Sequence, residues 1–280
     1  MTLTPLSPHI GARLDGLSLN ALTDDEFTQL YQAFLEYKVL VVPKQQLTPA
    51  EHLKFGKRFG ELEPPHPFFP HVVGYPQIVV IETAPGNPPG ESFWHTDMTF
   101  QSAPPKCSIL HAQHLPDQGG DTLWCNMGAV LESLPSSLRE QLTGQQACHQ
   151  LHAFAGSRYD HTTPEGESVV TQKSRDFPPV HHPLIAQHPE TGEHSLFINE
   201  QFTRHIDGLS DTDSQALLDE LFQLARQPEF QMRHTWQVGD IVIWDNRITQ
   251  HYAVTDYGDA PRKLHRVTVQ GQRTLAVTAS

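Results

Sequence analysis

From about Ile78 to Gln270 the sequence is cut into short β-rich runs separated by turn residues, and that punctuation constrains the fold more than any other feature. The runs fall at 78–81, 94–100, 107–115, 122–125, 183–187, 195–199, 230–236, 241–245 and 263–270. Asp117-Gln-Gly-Gly120, Glu190-Thr-Gly192 and Val238-Gly-Asp240 are among the breaks between them. So many short strands predict a sandwich or barrel. Ahead of them stand two capping boxes. Thr23-Asp-Asp-Glu26 opens a helix to about Tyr37, and Thr48-Pro-Ala-Glu51 opens one that Gly60 can close, with a buried strand from Val39 to Val42 between. Helical insertions near 127–143 and 210–226 interrupt the strands; in the second, Leu217, Leu218, Leu221 and Leu224 form an apolar face suited to buttress a barrel from outside. The polar, weakly periodic stretch 150–182 reads as a lid, and the chain from about 273 as a frayed tail of one domain spanning 1–280.

Composition excludes several classes of partner. With 19 Lys and Arg against 32 Asp and Glu, the formal charge of -13 repels nucleic acid and anionic membrane surfaces. No run approaches the roughly 20 apolar residues of a membrane span, and the N-terminus lacks a signal-peptide pattern, so a cytoplasmic location is expected. Cys107, Cys125 and Cys148 are odd in number and widely spaced, which suits reduced thiols rather than disulfides or a thiolate zinc site.

The 18 histidines carry the metal question. In Trp94-His95-Thr96-Asp97 the two potential ligands are two apart, so on a strand they share a face. A second His-x-Asp, His205-Ile206-Asp207, precedes Gly208 and a polar helix start and reads as solvated loop. Two histidines and a carboxylate suit non-haem iron(II), and His251 is the candidate third ligand. It follows the strand 241–246 and precedes the turn-rich link 255–261 and another β-like run, a pattern that predicts a hairpin at a barrel mouth. On that last run Arg262, Leu264, Arg266 and Thr268 fall on one face, which sets two guanidiniums about 13 Å apart and suggests two anionic ligands. Arginines on a solvated outer edge would give the same parity.

These residues resemble the taurine dioxygenase family of iron(II)/2-oxoglutarate-dependent oxygenases over nearly the whole chain. The resemblance is carried by Phe59-Gly-Glu-Leu62, Trp94-His-Thr-Asp97, Gly119-Gly-Asp-Thr-Leu-Trp124, Phe197-Ile-Asn-Glu200 and Trp244-Asp-Asn-Arg-Ile-Thr-Gln-His251, and by spacings of 11 and 15 residues from His251 to Arg262 and Arg266. It implies a mainly β fold with flanking helices, a double-stranded β-helix or jelly roll with helical insertions. It implies iron bound by His95, Asp97 and His251, with 2-oxoglutarate and O2 as co-substrates and with Thr122 and Arg262 on the distal carboxylate of 2-oxoglutarate. Arg266 and His66 then match positions that hold a sulfonate, and Phe202 one that packs beside it. Phe69 and Glu91 depart from the taurine pattern, which has tyrosine and asparagine there. The implied reaction is hydroxylation of a small anionic substrate, a sulfonate such as taurine giving sulfite and an aldehyde; an alkyl sulfate, phosphonate or carboxylate would fit the same chemistry. A non-catalytic, anion-binding metal barrel and a zinc hydrolase are the competing readings, and both leave Arg262 without a purpose. A homo-oligomer, dimer or tetramer, is also expected from the resemblance.

Overall fold

The structure, a computed structural model, describes residues 1–90, 92–157 and 159–277. Its main feature is an eight-stranded sheet in the order Thr2–Pro5, Ala12–Asp15, Val39–Val42, Ile241–Asp245, Cys107–His114, Arg262–Val269, Tyr75–Thr83, His71–Val72. Three three-stranded sheets complete the β structure, one of them ordered Gln231–His234, Thr122–Asn126, Thr249–Ala253. This is the expected mainly β, jelly-roll architecture with helical insertions.

The central strands of the large sheet are apolar on both faces, and strand parity says why. Leu40, Val42, Ile109, Ile241, Ile243, Val267 and Val269 point one way, into a cluster with Leu30, Phe34 and Phe55 of the helices Asp24–Tyr37 and Pro49–Gly56 and with Phe59 of the turn that follows. Val39, Val41, Leu110, Val242, Trp244 and Leu264 point the other way, onto Trp124 of the facing sheet. Both helices begin with the expected capping boxes at Thr23 and Thr48, in which the threonine and the glutamate three residues on satisfy each other's backbone N–H. The helix Asp211–Ala225 packs Leu218 and Leu221 behind the smaller sheets.

Several expectations need correcting. Residues 94–100 do not form a strand: His95 makes one isolated bridge to His251 and the chain then turns, with Met98 at φ 47°. His251 does not cap a hairpin but lies within the strand Thr249–Ala253, paired to Thr122–Asn126, whereas Arg262–Val269 belongs to the large sheet. The link 255–261 is therefore a crossing from one sheet to the other. The insertion at 127–143 is two helices, Met127–Ser133 and Ser136–Leu142, separated at Leu134-Pro135 because proline cannot supply the N–H that a continuing helix needs. The stretch 150–182 holds a turn of 3-10 helix at Leu151–Phe154 and an α-helix at Val169–Asp176, capped by Ser168. At the expected frayed tail, Leu275–Ala276 pairs with Ile185–Gln187.

Candidate functional site

A cavity of about 640 Å3 lies between the two facing sheets, lined by Leu110, Trp244 and Leu264 from the large sheet and by Thr122, His251 and Ala253 opposite. Its walls include every expected site residue, namely His66, Phe69, His95, Asp97, Thr122, Phe202, His251, Arg262 and Arg266.

His95, Asp97 and His251 each offer one ligand atom, and the three atoms lie within 4.8 Å of one another. Two backbone hydrogen bonds set this geometry: His95 N donates to His251 O at 3.0 Å and His251 N donates to His95 O at 2.8 Å. A two-residue bridge thus does what the expected strand was to do. His95 Nδ1 lies 2.8 Å from Phe93 O. A carbonyl only accepts, so Nδ1 carries the proton and Nε2 keeps its lone pair for a metal. Burial lowers the proton affinity of both imidazoles, that of His251 well below its ordinary value, so they stand as neutral ligands. Burial alone would raise the Asp97 carboxyl; the Arg266 guanidinium, first, and the Ser108 hydroxyl oppose it and hold the group well below the usual carboxylate range. Two neutral nitrogens and one carboxylate, buried and convergent, fit a divalent metal of the iron(II) class. His205 and Asp207, by contrast, pair outward with Asp211 and His181.

The strand Arg262–Val269 points Arg262, Leu264, Arg266 and Thr268 inward, all buried, which disposes of the outer-edge alternative. Arg262 Nη2 donates to Gly120 O at 3.0 Å while its Nε has no partner. Gly119 and Gly120 make this approach possible. Both have left-handed backbone, φ 79° and 75°, and a Cβ on Gly120 would stand 3.0 Å from Arg262 Nε. Thr122 Oγ1 accepts the indole N–H of Trp236 at 3.0 Å, so its own proton is free for an acceptor. Arg266 Nη1 donates to Asp97 Oδ1 at 2.6 Å. Near it, His66 Nδ1 accepts from the backbone N–H groups of Phe68 and Phe69, each at 3.2 Å, which leaves Nε2 as the protonated nitrogen.

Aromatic side chains form the wall beyond. Phe68 stacks on Phe154 at 4.6 Å, Phe69 meets Tyr159 at 4.6 Å, and Phe154 meets Phe202 at 6.2 Å. Phe154 and Tyr159 come from the stretch read as a lid, and Tyr257 from the crossing link, with the Arg262 guanidinium 5.6 Å from its ring centre. These three escaped sequence reasoning, since aromatics in irregular segments carry no periodic signal. Trp244 lines the cavity as well and meets the His251 ring at 4.8 Å. Glu91 lies outside the described residues.

Comparison with known proteins agrees with this geometry. Residues 2–268 match the family described as Taurine catabolism dioxygenase TauD, TfdA family. The chain is 38% identical to an alkylsulfatase of Acinetobacter baylyi over 98% of its length and 86% of that protein's. It is 35% identical to an alpha-ketoglutarate-dependent sulfate ester dioxygenase of Pseudomonas putida, over 98% of this chain and 90% of that one. Among solved structures it resembles a taurine dioxygenase from Burkholderia xenovorans, with TM-score 0.81 and 34% identity over 100% of this chain and 95% of that one. It also resembles AAD-2 in complex with Mn(II) and N-oxalylglycine, with TM-score 0.79 and 28% identity over 99% of both chains. A match across nearly the whole chain, with a His-Asp-His cluster and two buried arginines facing one cavity, establishes that the chain belongs to the TauD/TfdA family of alpha-ketoglutarate-dependent dioxygenases.

Proposed function

We propose that the protein hydroxylates the ester carbon of an organic sulfate, with iron(II) held by His95, Asp97 and His251, 2-oxoglutarate anchored by Thr122 and Arg262, and the sulfate group met by His66 and Arg266. The observation that carries this reading is the contrast between the cavity's anchors and its walls. Beside the His95, Asp97 and His251 cluster, its buried polar groups include two guanidiniums, the Thr122 hydroxyl and the His66 N–H, all able to donate, whereas the wall beyond them includes Phe69, Phe154, Tyr159 and Phe202. Asp97 is the one carboxylate among the described lining residues. An anionic head on an apolar body matches both features, and sulfate ester chemistry is named for two relatives.

When bound, iron(II) would supply the reaction of dioxygen with 2-oxoglutarate, one oxygen atom going into succinate as carbon dioxide leaves and the other into a substrate C–H bond. The chain's own part is placement. Arg262 and Thr122 fix one end of 2-oxoglutarate through its distal carboxylate, Arg266 and His66 fix the substrate's anionic head, and the aromatic wall keeps water from the body. Hydroxylation at the ester carbon gives a hemiacetal sulfate. Its C–O(sulfate) bond then breaks as the hydroxyl proton leaves, yielding an aldehyde and hydrogen sulfate.

The test is succinate release by the iron-loaded protein across alkyl sulfates of increasing length, taurine, other alkanesulfonates and aryloxyacetates, beside Arg262→Ala. Turnover confined to sulfate esters and strongly reduced in the variant at low 2-oxoglutarate is the expected result. Turnover with taurine and none with any sulfate ester would replace the sulfate reading by the sulfonate one, which the Burkholderia neighbour's name favours.

A further inference from the structure

Four buried side chains form a hydrogen-bond chain with only one possible direction. The Trp244 indole Nε1 donates to Asn246 Oδ1 at 2.9 Å, and an indole N–H can do nothing else. That assigns the other arm of the Asn246 amide as its NH2 group, which donates to Ser108 Oγ at 3.1 Å. Ser108 therefore receives a proton from Asn246 and must place its own on Asp97 Oδ2, 2.6 Å away. Trp244, Asn246 and Ser108 are each no more than 1% exposed and Asp97 is 3% exposed, so water does not compete for these bonds. Trp244 and Ser108 face each other across adjacent strands, and Trp244 packs on the His251 ring as well.

We propose that Ser108 and Asn246 are positioning residues for the metal centre: the chain that starts at Trp244 holds Asp97 Oδ2 and so favours one-oxygen binding of the metal through Oδ1, whose second lone pair remains beside the 2.6 Å bond it accepts from Arg266 Nη1. The consequence concerns coordination number. A carboxylate that closed on the metal with both oxygens would take up a position that a small co-substrate needs, and the Ser108 proton opposes this. The same indole then sets the orientation of two ligands, His251 by ring contact and Asp97 through the chain. This inference rests on the metal-site reading above.

The measurement is Mn(II) binding to the full-length metal-free protein, followed by the electron paramagnetic resonance of free and bound ion, for the parent, Ser108→Ala and Asn246→Asp. Ser108→Ala removes the proton given to Asp97. Asn246→Asp keeps the size and the Trp244 contact but has no N–H to give, so the introduced carboxylate competes with Asp97 for the Ser108 proton. Both variants are expected to bind Mn(II) about 10- to 100-fold more weakly, the usual cost of losing an outer partner of a metal ligand. Both are also expected to alter the line shape of the bound ion, a readout that a change in stability alone does not move. Thermal melting establishes that each variant is folded, and Asn246→Asp carries the test if Ser108→Ala is not. Parent-like affinity and line shape in either folded variant overturn the positioning role. Failure of the parent itself to bind Mn(II) overturns the metal site and the proposal together.

Discussion

Arg262 and Arg266 stand four residues apart on one face of one strand, each 5% exposed, yet they face different electrostatic problems. Arg266 is answered by a full charge, Asp97, at 2.6 Å. Arg262 meets neutral groups at close range, the Gly120 carbonyl and the Tyr257 ring, and the Nε of each arginine is unpartnered. A buried guanidinium whose direct contacts are dipoles, with the Asp121 charge acting only from further off, is costly until an anion arrives, which makes it a dedicated anchor. One already paired to a metal ligand does two jobs at once, so ligand binding and metal geometry are coupled at Arg266 and separate at Arg262.

The largest way to break this comparison is Asp97→Ala. It removes a metal ligand and leaves Arg266 an unpaired buried cation, at about 3–5 kcal/mol of stability. Loss of metal uptake together with a lower melting temperature is expected; an unchanged melting temperature would show that Arg266 needs no partner. Next is Arg262→Ala, expected to raise the KM for 2-oxoglutarate by about 2–5 kcal/mol equivalent, tenfold for each 1.4 kcal/mol, while leaving the substrate KM within about threefold. Arg266→Ala is expected to raise both the substrate KM and the metal Kd, and steady-state kinetics beside metal titration separate the two patterns. A smaller effect comes from the aromatic wall. Phe154→Ala is expected to cost about 1–3 kcal/mol in kcat/KM for a long-chain sulfate and little for a short one, with the 2-oxoglutarate KM unmoved.

The smallest expected effect is on stability against pH. Glu63 is pushed up by burial to about 7, a rise that its hydrogen bond with Gln101 opposes. Since the folded state holds this proton more tightly than the unfolded chain, Glu63 contributes stability that is fully present below its ordinary value of 4.5 and is lost as pH rises toward about 7. The melting temperature of Glu63→Gln should fall less than that of the parent across this interval; parallel curves would show that Glu63 does not titrate there.

Much of the site was legible because its residues announce themselves locally. Arg262 and Arg266 share a face by strand parity, and the cap boxes at Thr23 and Thr48 form as written. The His95 and Asp97 pair was found for a reason that does not hold, since the segment turns rather than extends. The ligands converge because His95 bridges His251, 156 residues away by number, and no local pattern encodes that bond. Phe154, Tyr159 and Tyr257 were missed because irregular segments are placed by what they pack against.

By itself the sequence determined the class of fold, the helix starts, the inward face of Arg262–Val269 and the donor types able to hold a metal and two anions. These follow from nearest-neighbour sterics, period-two alternation and side-chain chemistry, which act over a few residues. Only the tertiary structure decided that the link 255–261 crosses between sheets, that Arg266 is paired to Asp97, and that Trp244, Asn246 and Ser108 line up behind it. Those depend on contacts between strands far apart in the chain, where burial leaves each polar group a single partner and so a single arrangement.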